Sequence, residues 1–364
     1  MMMSDKSTWE EAFGFAEYQL RKLVENHPDA FPMYTQHGQW ALGGETWTNW
    51  CEGFLGGQLW LLYQQTGNSY WREKAMHYSQ LIEPRKLDCS VHDLGFLFWP
   101  TWKRWYDLDG DPMQNDVVVQ AGRTLALRFQ EKGGYLCSFL AKNSLFIDIM
   151  MNVGIIFYAA EQSNDPTLQQ IAFQHCLTTR SYLVRGDRST AHEGLFDTQT
   201  GEFLHQSTQQ GWRGDSCWAR GQAWAIYGFS IAYSYTHDLR FLQTAQSCAD
   251  FYIQHTPPHG IPPNDWDEPS PTLPFESSAA AIAARGLLFL AKQVGSESQA
   301  PYQSAALQIL ESLCTPEFLA ASTPGWEGVI KHGIYHQRKK LGVDESVMWG
   351  DYFFLGALYE VLHA

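Results

Sequence analysis

Residues 221–254 read GQAWAIYGFSIAYSY, then THD, then LRFLQTAQSCADFYIQ. The first stretch, Gly221 to Tyr235, is apolar or small on nearly every side, which predicts a helix packed all round. Thr236-His237-Asp238 is a polar stop followed by an N-cap residue. The second stretch, Leu239 to Gln254, carries apolar residues on one face only, which predicts an outer helix. The unit is therefore an inner helix, a tight turn and an outer helix.

The same unit recurs along the chain. Its turns are Gly67-Asn68-Ser69, Asp109-Gly110-Asp111-Pro112, Asn164-Asp165-Pro166 and Gly295-Ser296-Glu297. The spacing is roughly 45 to 70 residues, and with a last helix over 346–362 it gives about six helical hairpins. Strand signals are confined to 194–203 and 325–335. The Pro-rich stretch 257–274 is predicted to be a surface loop, and no stretch reads as an interdomain linker. The sequence thus predicts one all-α domain spanning 1–364. In such a ring, polar residues at the starts of the inner helices gather at one end.

Composition narrows the function. Of the residues, 45% are hydrophobic and 18% charged, which predicts a large core. Fifteen tryptophans and 15% aromatics suit a cleft with flat apolar faces, on which sugar rings stack. The net charge of -14 argues against nucleic acid and anionic membranes as partners. The one basic cluster, Arg338-Lys339-Lys340, reads as a solvated turn. Cysteines 51, 89, 137, 176, 217, 248 and 314 are odd in number and lack a C-x-x-C pair, as expected of free thiols in a reducing compartment. No apolar leader stands before Phe13 and no apolar run is long enough to span a bilayer. The expectation is a soluble cytoplasmic protein, a monomer or weak homo-oligomer. The histidines show no tight ligand spacing, and Gly43-Gly44 and Gly56-Gly57 lack the setting of a phosphate loop, so neither a metal nor another cofactor is expected.

Several polar residues stand where inner helices begin. Asp148 interrupts the apolar run LFIDIMMNVGIIFY (145–158), where an ionised carboxylate is costly. His92-Asp93 precedes Leu94-Gly95-Phe96. Arg220, Gln222 and Trp224 open another helix, as do Glu276-Ser277-Ser278 and Trp349-Gly350-Asp351-Tyr352. Gathered together, two carboxylates, a guanidinium, a histidine and several indoles form a site for an anionic sugar. Each residue also has a structural reading. Asp93 serves as an N-cap; Asp148 bonds to Asn152 or to backbone; Arg220 pairs with Asp215 or a neighbouring helix. His192-Glu193 stabilises a loop, and the stripe Trp99, Trp102, Tyr106 belongs to the core.

Read in order, WTN (47–49) with GGQLW (56–60), HDLGF (92–96), IDIMMN (147–152), WARGQAW (218–224) and WGDYF (349–353) resemble the unsaturated glucuronyl hydrolases, glycoside hydrolase family 88. The resemblance runs from about residue 40 to the C-terminus and implies an (α/α)6 barrel. It implies action on lyase-generated oligosaccharides that end in a C4=C5 unsaturated uronic acid. Such enzymes hydrate the enol ether instead of displacing the leaving sugar. By motif match Asp148 is the acid/base, kept protonated by burial and a second carboxylate, and Asp93 is that second acid. Trp47, His92, Asn152, His192, Gln210, Arg220, Trp224, His332 and Trp349 are the candidate substrate-binding residues. Two departures touch substrate binding. Gln209-Gln210 stands where the family often has His-Gln, and 134–139 lacks a Trp, with Phe139 or Tyr135 in its place. Alternatives are an unsaturated rhamnogalacturonyl hydrolase, against which HDLGF and WARGQ argue, and an (α/α)6 sugar epimerase, in which Asp148 is structural.

Overall fold

The computed structural model describes residues 3–43, 48–269 and 274–364. Among these, six inner helical segments ring a common axis. They are Glu52–Thr66, Leu94–Phe98 running on to Arg104–Asp109, Ile149–Asn152 running on to Gly154–Ser163, Ala219–Thr236, Ser277–Ala291 and Met348–Leu362. Each packs on the next, and Met348–Leu362 packs on Glu52–Thr66 to close the ring. The outer helices Ser69–Leu81, Pro112–Ala126, Pro166–Leu183, Leu239–His255 and Ser296–Leu313 follow the first five inner ones. The sixth outer helix is Met3–Asn26, which packs on Met348–Leu362. The result is an (α/α)6 barrel whose last pair joins the two ends of the chain.

Four of the hairpin turns share one device. Gly67, Gly110, Asn164 and His237 end their helices in the left-handed conformation. The following Asn68, Asp111, Asp165 and Asp238 accept backbone N–H groups of the next helix through their side chains. Each turn therefore satisfies orphan groups at both helix ends. Inner helices are close-packed through small residues. The run Ser278 to Ala284 is wholly buried, and a Cβ on Gly95 would lie 2.6 Å from the Asn152 Cα.

Strand content differs from expectation. A three-stranded antiparallel sheet joins Ser144–Phe146, Glu193–Phe196 and Phe203–Ser207. A hairpin pairs Gly333–His336 with Leu341–Glu345. Both lie beside the N-terminal ends of inner helices: Ile147 N–H donates to His192 O, and Ser277 N–H to His332 O. The stretch expected to be a surface loop is partly interior, since Ile261, Asn264 and Asp265 are buried. The Asp265 carboxylate accepts from Trp212 N and the Ser216 hydroxyl and so fixes the neighbouring loop. In the aromatic stripe, Trp102 belongs to the core, but Trp99 and Tyr106 are only half-buried.

Candidate active site

Asp93 and Asp148 each stand at the N-cap of an inner helical segment, and neither side chain caps it. Asp111, Asp165 and Asp238 occupy the same position elsewhere and do cap. The two carboxylates are therefore left to face the cleft. They meet at one atom: His92 Nε2 is 3.3 Å from Asp93 Oδ1 and 3.4 Å from Asp148 Oδ1. The Phe139 N–H donates to His92 Nδ1 at 2.9 Å. Nδ1 is thus an acceptor, and the proton of the neutral ring sits on Nε2, between the carboxylates.

The surrounding cleft holds about 400 Å³ of non-atom space. Trp50, Phe96, Phe139, Phe146, Trp218, Trp224 and Tyr335 line it, together with His92, Asp93, Asp148, Gln210 and Arg220. Of Phe139 and Tyr135, it is Phe139 that lines the cleft. Its ring stacks on His92 at 5.5 Å, whereas Tyr135 packs on Phe196. The Asp148 side chain is 14% exposed against 5% for Asp93, so Asp148 is the acid a ligand meets. Its Oδ1 accepts no well-formed hydrogen bond among the described residues, and His192 Nε2 and Trp218 Nε1 are likewise unpartnered. Unsatisfied buried polar atoms around one cleft are the signature of a polar ligand's place.

The electrostatics divide the two acids. Burial, with Asp148 adding to it, pushes Asp93 up to about 6. Burial acts the same way on Asp148, but His92, His192 and Arg220 outweigh it and hold its carboxyl below the ordinary range. The two acids are thus shifted in opposite directions, Asp93 up and Asp148 down. Burial lowers the affinity of His92 for a second proton while the two carboxylates raise it above the ordinary value. That proton would have to enter at Nδ1, against the Phe139 N–H. Burial pushes His192 down to about 3. Its Nδ1 accepts from Gln209 N and Gln210 N, so Nε2 carries the proton and is a donor without an acceptor.

Arg220 is buried with its donors committed. It reaches Glu276 at 3.4 Å, the carbonyls of Ile334 at 2.6 Å and Tyr335 at 3.0 Å, and Gln210 Oε1. Its ion-pair partner is Glu276 on a neighbouring helix, while Asp215 pairs with Arg213. Trp218 and Trp349 sandwich its guanidinium. Arg220 thus offers the cleft a fixed positive charge more than a free fork.

Three expected substrate contacts lie elsewhere. Asn152 is buried and bridges two helix starts, accepting from Phe96 N at 2.8 Å and donating to the Asp148 carbonyl at 3.3 Å. Trp349 sits one layer behind the cleft, its Nε1 donating to the Ser278 hydroxyl. His332 is left-handed, with φ 66°, and its ring bonds Asp344 and the Glu317 carbonyl, outside the cleft. Trp47 lies outside the described residues. Trp50, Phe146 and Tyr335 were missed, because an aromatic that lines a cleft and one that fills a core look alike in sequence.

No family model matches the chain. The unsaturated glucuronyl hydrolase of Bacillus sp. (strain GL1) is 31% identical over 96% of this chain and 96% of its own length. The chain belongs to the unsaturated glucuronyl hydrolase family. It is a glycoside hydrolase by that membership. The crystal structure of the Bacillus sp. GL1 unsaturated glucuronyl hydrolase, described as responsible for the degradation of glycosaminoglycan, superposes with a TM-score of 0.90. It shares 30% identity over 97% of this chain and 96% of that one. An unsaturated glucuronyl hydrolase mutant from Streptococcus agalactiae, complexed with dGlcA-GalNAc6S, superposes with a TM-score of 0.84 at 28% identity, covering 98% and 92%. Gln209 lies outside the cleft, where its amide donates to Glu193 Oε2 at 2.9 Å. Phe139 lies within it.

Proposed function

We propose that the chain hydrates the C4=C5 double bond of an unsaturated uronic acid at the non-reducing end of a lyase-generated oligosaccharide, of the glycosaminoglycan type its relatives are named for. The observation that carries this is the Asp148 carboxylate at the cleft, its Oδ1 without a well-formed hydrogen bond, beside a second acid, Asp93, that burial pushes up to about 6. Binding a uronate brings a third negative charge into the cleft, which raises the proton affinity of the nearest carboxylate, Asp148. Asp148 then delivers the proton to C4. Positive charge develops at C5 and is shared by the ring oxygen. Water adds at C5, losing a proton to the Asp148 carboxylate, and the hemiketal opens to release the aglycone.

Asp93 serves as the proton store, and His92 links the two acids. The Arg220 charge, fixed by Glu276, favours the uronate. Trp218, Trp224 and Phe139 offer ring faces, and the His192 Nε2–H is available to a sugar oxygen. All 364 residues form one catalytic unit in this reading. The unpaired cysteines fit a reducing, cytoplasmic setting, and among the described residues no helix is long and apolar enough to cross a membrane.

The test is to incubate the protein with an unsaturated chondroitin disaccharide and follow the ultraviolet absorbance of the double bond. Loss of absorbance with release of the amino sugar is expected. Unchanged absorbance across a panel of unsaturated uronyl oligosaccharides would refute the reading.

A further inference from the structure

Arg128 stands two residues beyond the outer helix Pro112–Ala126, at the base of a small hairpin in which Phe129–Gln130 pairs with Tyr135–Leu136. Its side chain is half-buried, and its hydrogen bonds all go to backbone carbonyls. Nε donates to Cys137 O at 2.8 Å, Nη1 to Cys89 O at 2.5 Å and Nη2 to Ser138 O at 2.5 Å. Its own carbonyl accepts from Cys137 N at 3.1 Å. One planar guanidinium therefore ties the loop that carries Phe139 to the loop that carries His92.

The Ser138 carbonyl and the Phe139 N–H are the two ends of one planar peptide unit and point in opposite directions. Arg128 holds the oxygen end, and the N–H end donates to His92 Nδ1 at 2.9 Å. A hydrogen bond to the oxygen also polarises the peptide and strengthens its N–H as a donor. On the other side Ser138 N donates to Ser144 O at 2.7 Å, on the strand that leads to Asp148. Burial, and with it the Arg128 charge, opposes a second proton on His92, against the pull of the two carboxylates.

We propose that Arg128 is a positioning residue for the reaction, acting through the Ser138–Phe139 peptide to keep the His92 proton on Nε2, between Asp93 and Asp148. Without the guanidinium the peptide is free to turn, Nδ1 loses its donor, and the ring can adopt the other tautomer. That tautomer turns a bare nitrogen toward two carboxylates, and the link through which they share a proton is lost. The effect on rate rests on the hydration chemistry proposed above; the effect on the tautomer does not.

The tautomer is read in the ligand-free protein from the ring-nitrogen NMR shifts of its histidines, with His92 assigned by its loss in His92→Gln. The wild type should show Nε2 protonated and Nδ1 bare. Arg128→Ala should show both tautomers or a protonated Nδ1. Arg128→Lys keeps the charge but cannot reach three carbonyls at once, and should show the same change should the alanine variant fail to fold. With an unsaturated chondroitin disaccharide, Arg128→Ala should lose about tenfold or more in kcat while KM changes by less than about threefold. Guanidinium chloride at a non-denaturing concentration should restore part of that rate, and sodium chloride at equal ionic strength should not. The proposal is overturned if wild-type His92 carries its proton on Nδ1, if the tautomer is unchanged in both variants, if the loss lies in KM alone, or if sodium chloride restores the rate as well as guanidinium does. Should the wild type turn over no unsaturated saccharide, the hydration reading falls, and the tautomer still decides for or against Arg128.

Discussion

Asp93 and Asp148 sit 3.3 and 3.4 Å from the same nitrogen of His92, so one proton serves a pair of acids that titrate together. Of the two, Asp148 is the more exposed, and its Oδ1 accepts no well-formed hydrogen bond among the described residues. Asp148→Asn should lower kcat by about 10²–10⁴-fold, the usual yield of a positioned general acid, while leaving the melting temperature within a few degrees. Steady-state assays and calorimetry on the same preparation check this. Near-normal turnover would remove Asp148 from the chemistry.

The pH behaviour follows from Asp93. Its folded pKa, about 6, lies above the unfolded value. The stability it contributes is complete below about pH 4 and is lost as pH rises through 6. Asp93→Asn removes that loss, so the variant should gain on the wild type between pH 5 and pH 8, by about 1.4 kcal/mol. Activity moves the other way. Without the neighbouring negative charge Asp148 binds its proton less tightly, and the alkaline limb of kcat/KM should shift to lower pH. Urea titrations at the two pH values and a pH–rate profile separate these effects. A limb unmoved or shifted upward would break the proposed link between the acids.

Much of this site was legible because charge stands out against an apolar background. Asp148 is conspicuous within LFIDIMMN, and Asp93 before LGF, and both reach the cleft. The barrel was legible because four of its turns repeat one capping device. What stayed hidden has physical causes. The strand Ser144–Phe146 is too short and too apolar to show a period of two, so the sequence carries no sign of it ahead of Asp148. The charges that act on Asp148 also stayed hidden, because His92 and Arg220 arrive from distant segments. His332 was misplaced by a left-handed backbone angle that turns its ring toward Asp344.

Arg220 and Glu276 form a buried ion pair at 3.4 Å, with both side chains at most 1% exposed. Glu276 also accepts from Ala279 N, Ile334 N and the Ser278 hydroxyl. Glu276→Gln leaves the guanidinium uncompensated and should cost about 3–5 kcal/mol. Chemical denaturation measures it. KM for the unsaturated disaccharide should rise as well, since the charge facing the uronate loses its anchor. A loss below about 1 kcal/mol would place the pair among weak surface-like contacts.

Asn152 decides between contact and scaffold. Its side chain spans from Phe96 N to the Asp148 carbonyl, tying the helix start that carries Asp93 to the one that carries Asp148. Asn152→Ala leaves the buried Phe96 N–H unpaired, at a cost of about 1–3 kcal/mol. Gly95→Ala should act on the same joint, because its Cβ would press on the Asn152 backbone at 2.6 Å. Both variants are expected to lower kcat more than they raise KM, since the acids lose their mutual placement while the aromatic walls remain. A change in KM alone for Asn152→Ala would return that residue to the substrate-binding set.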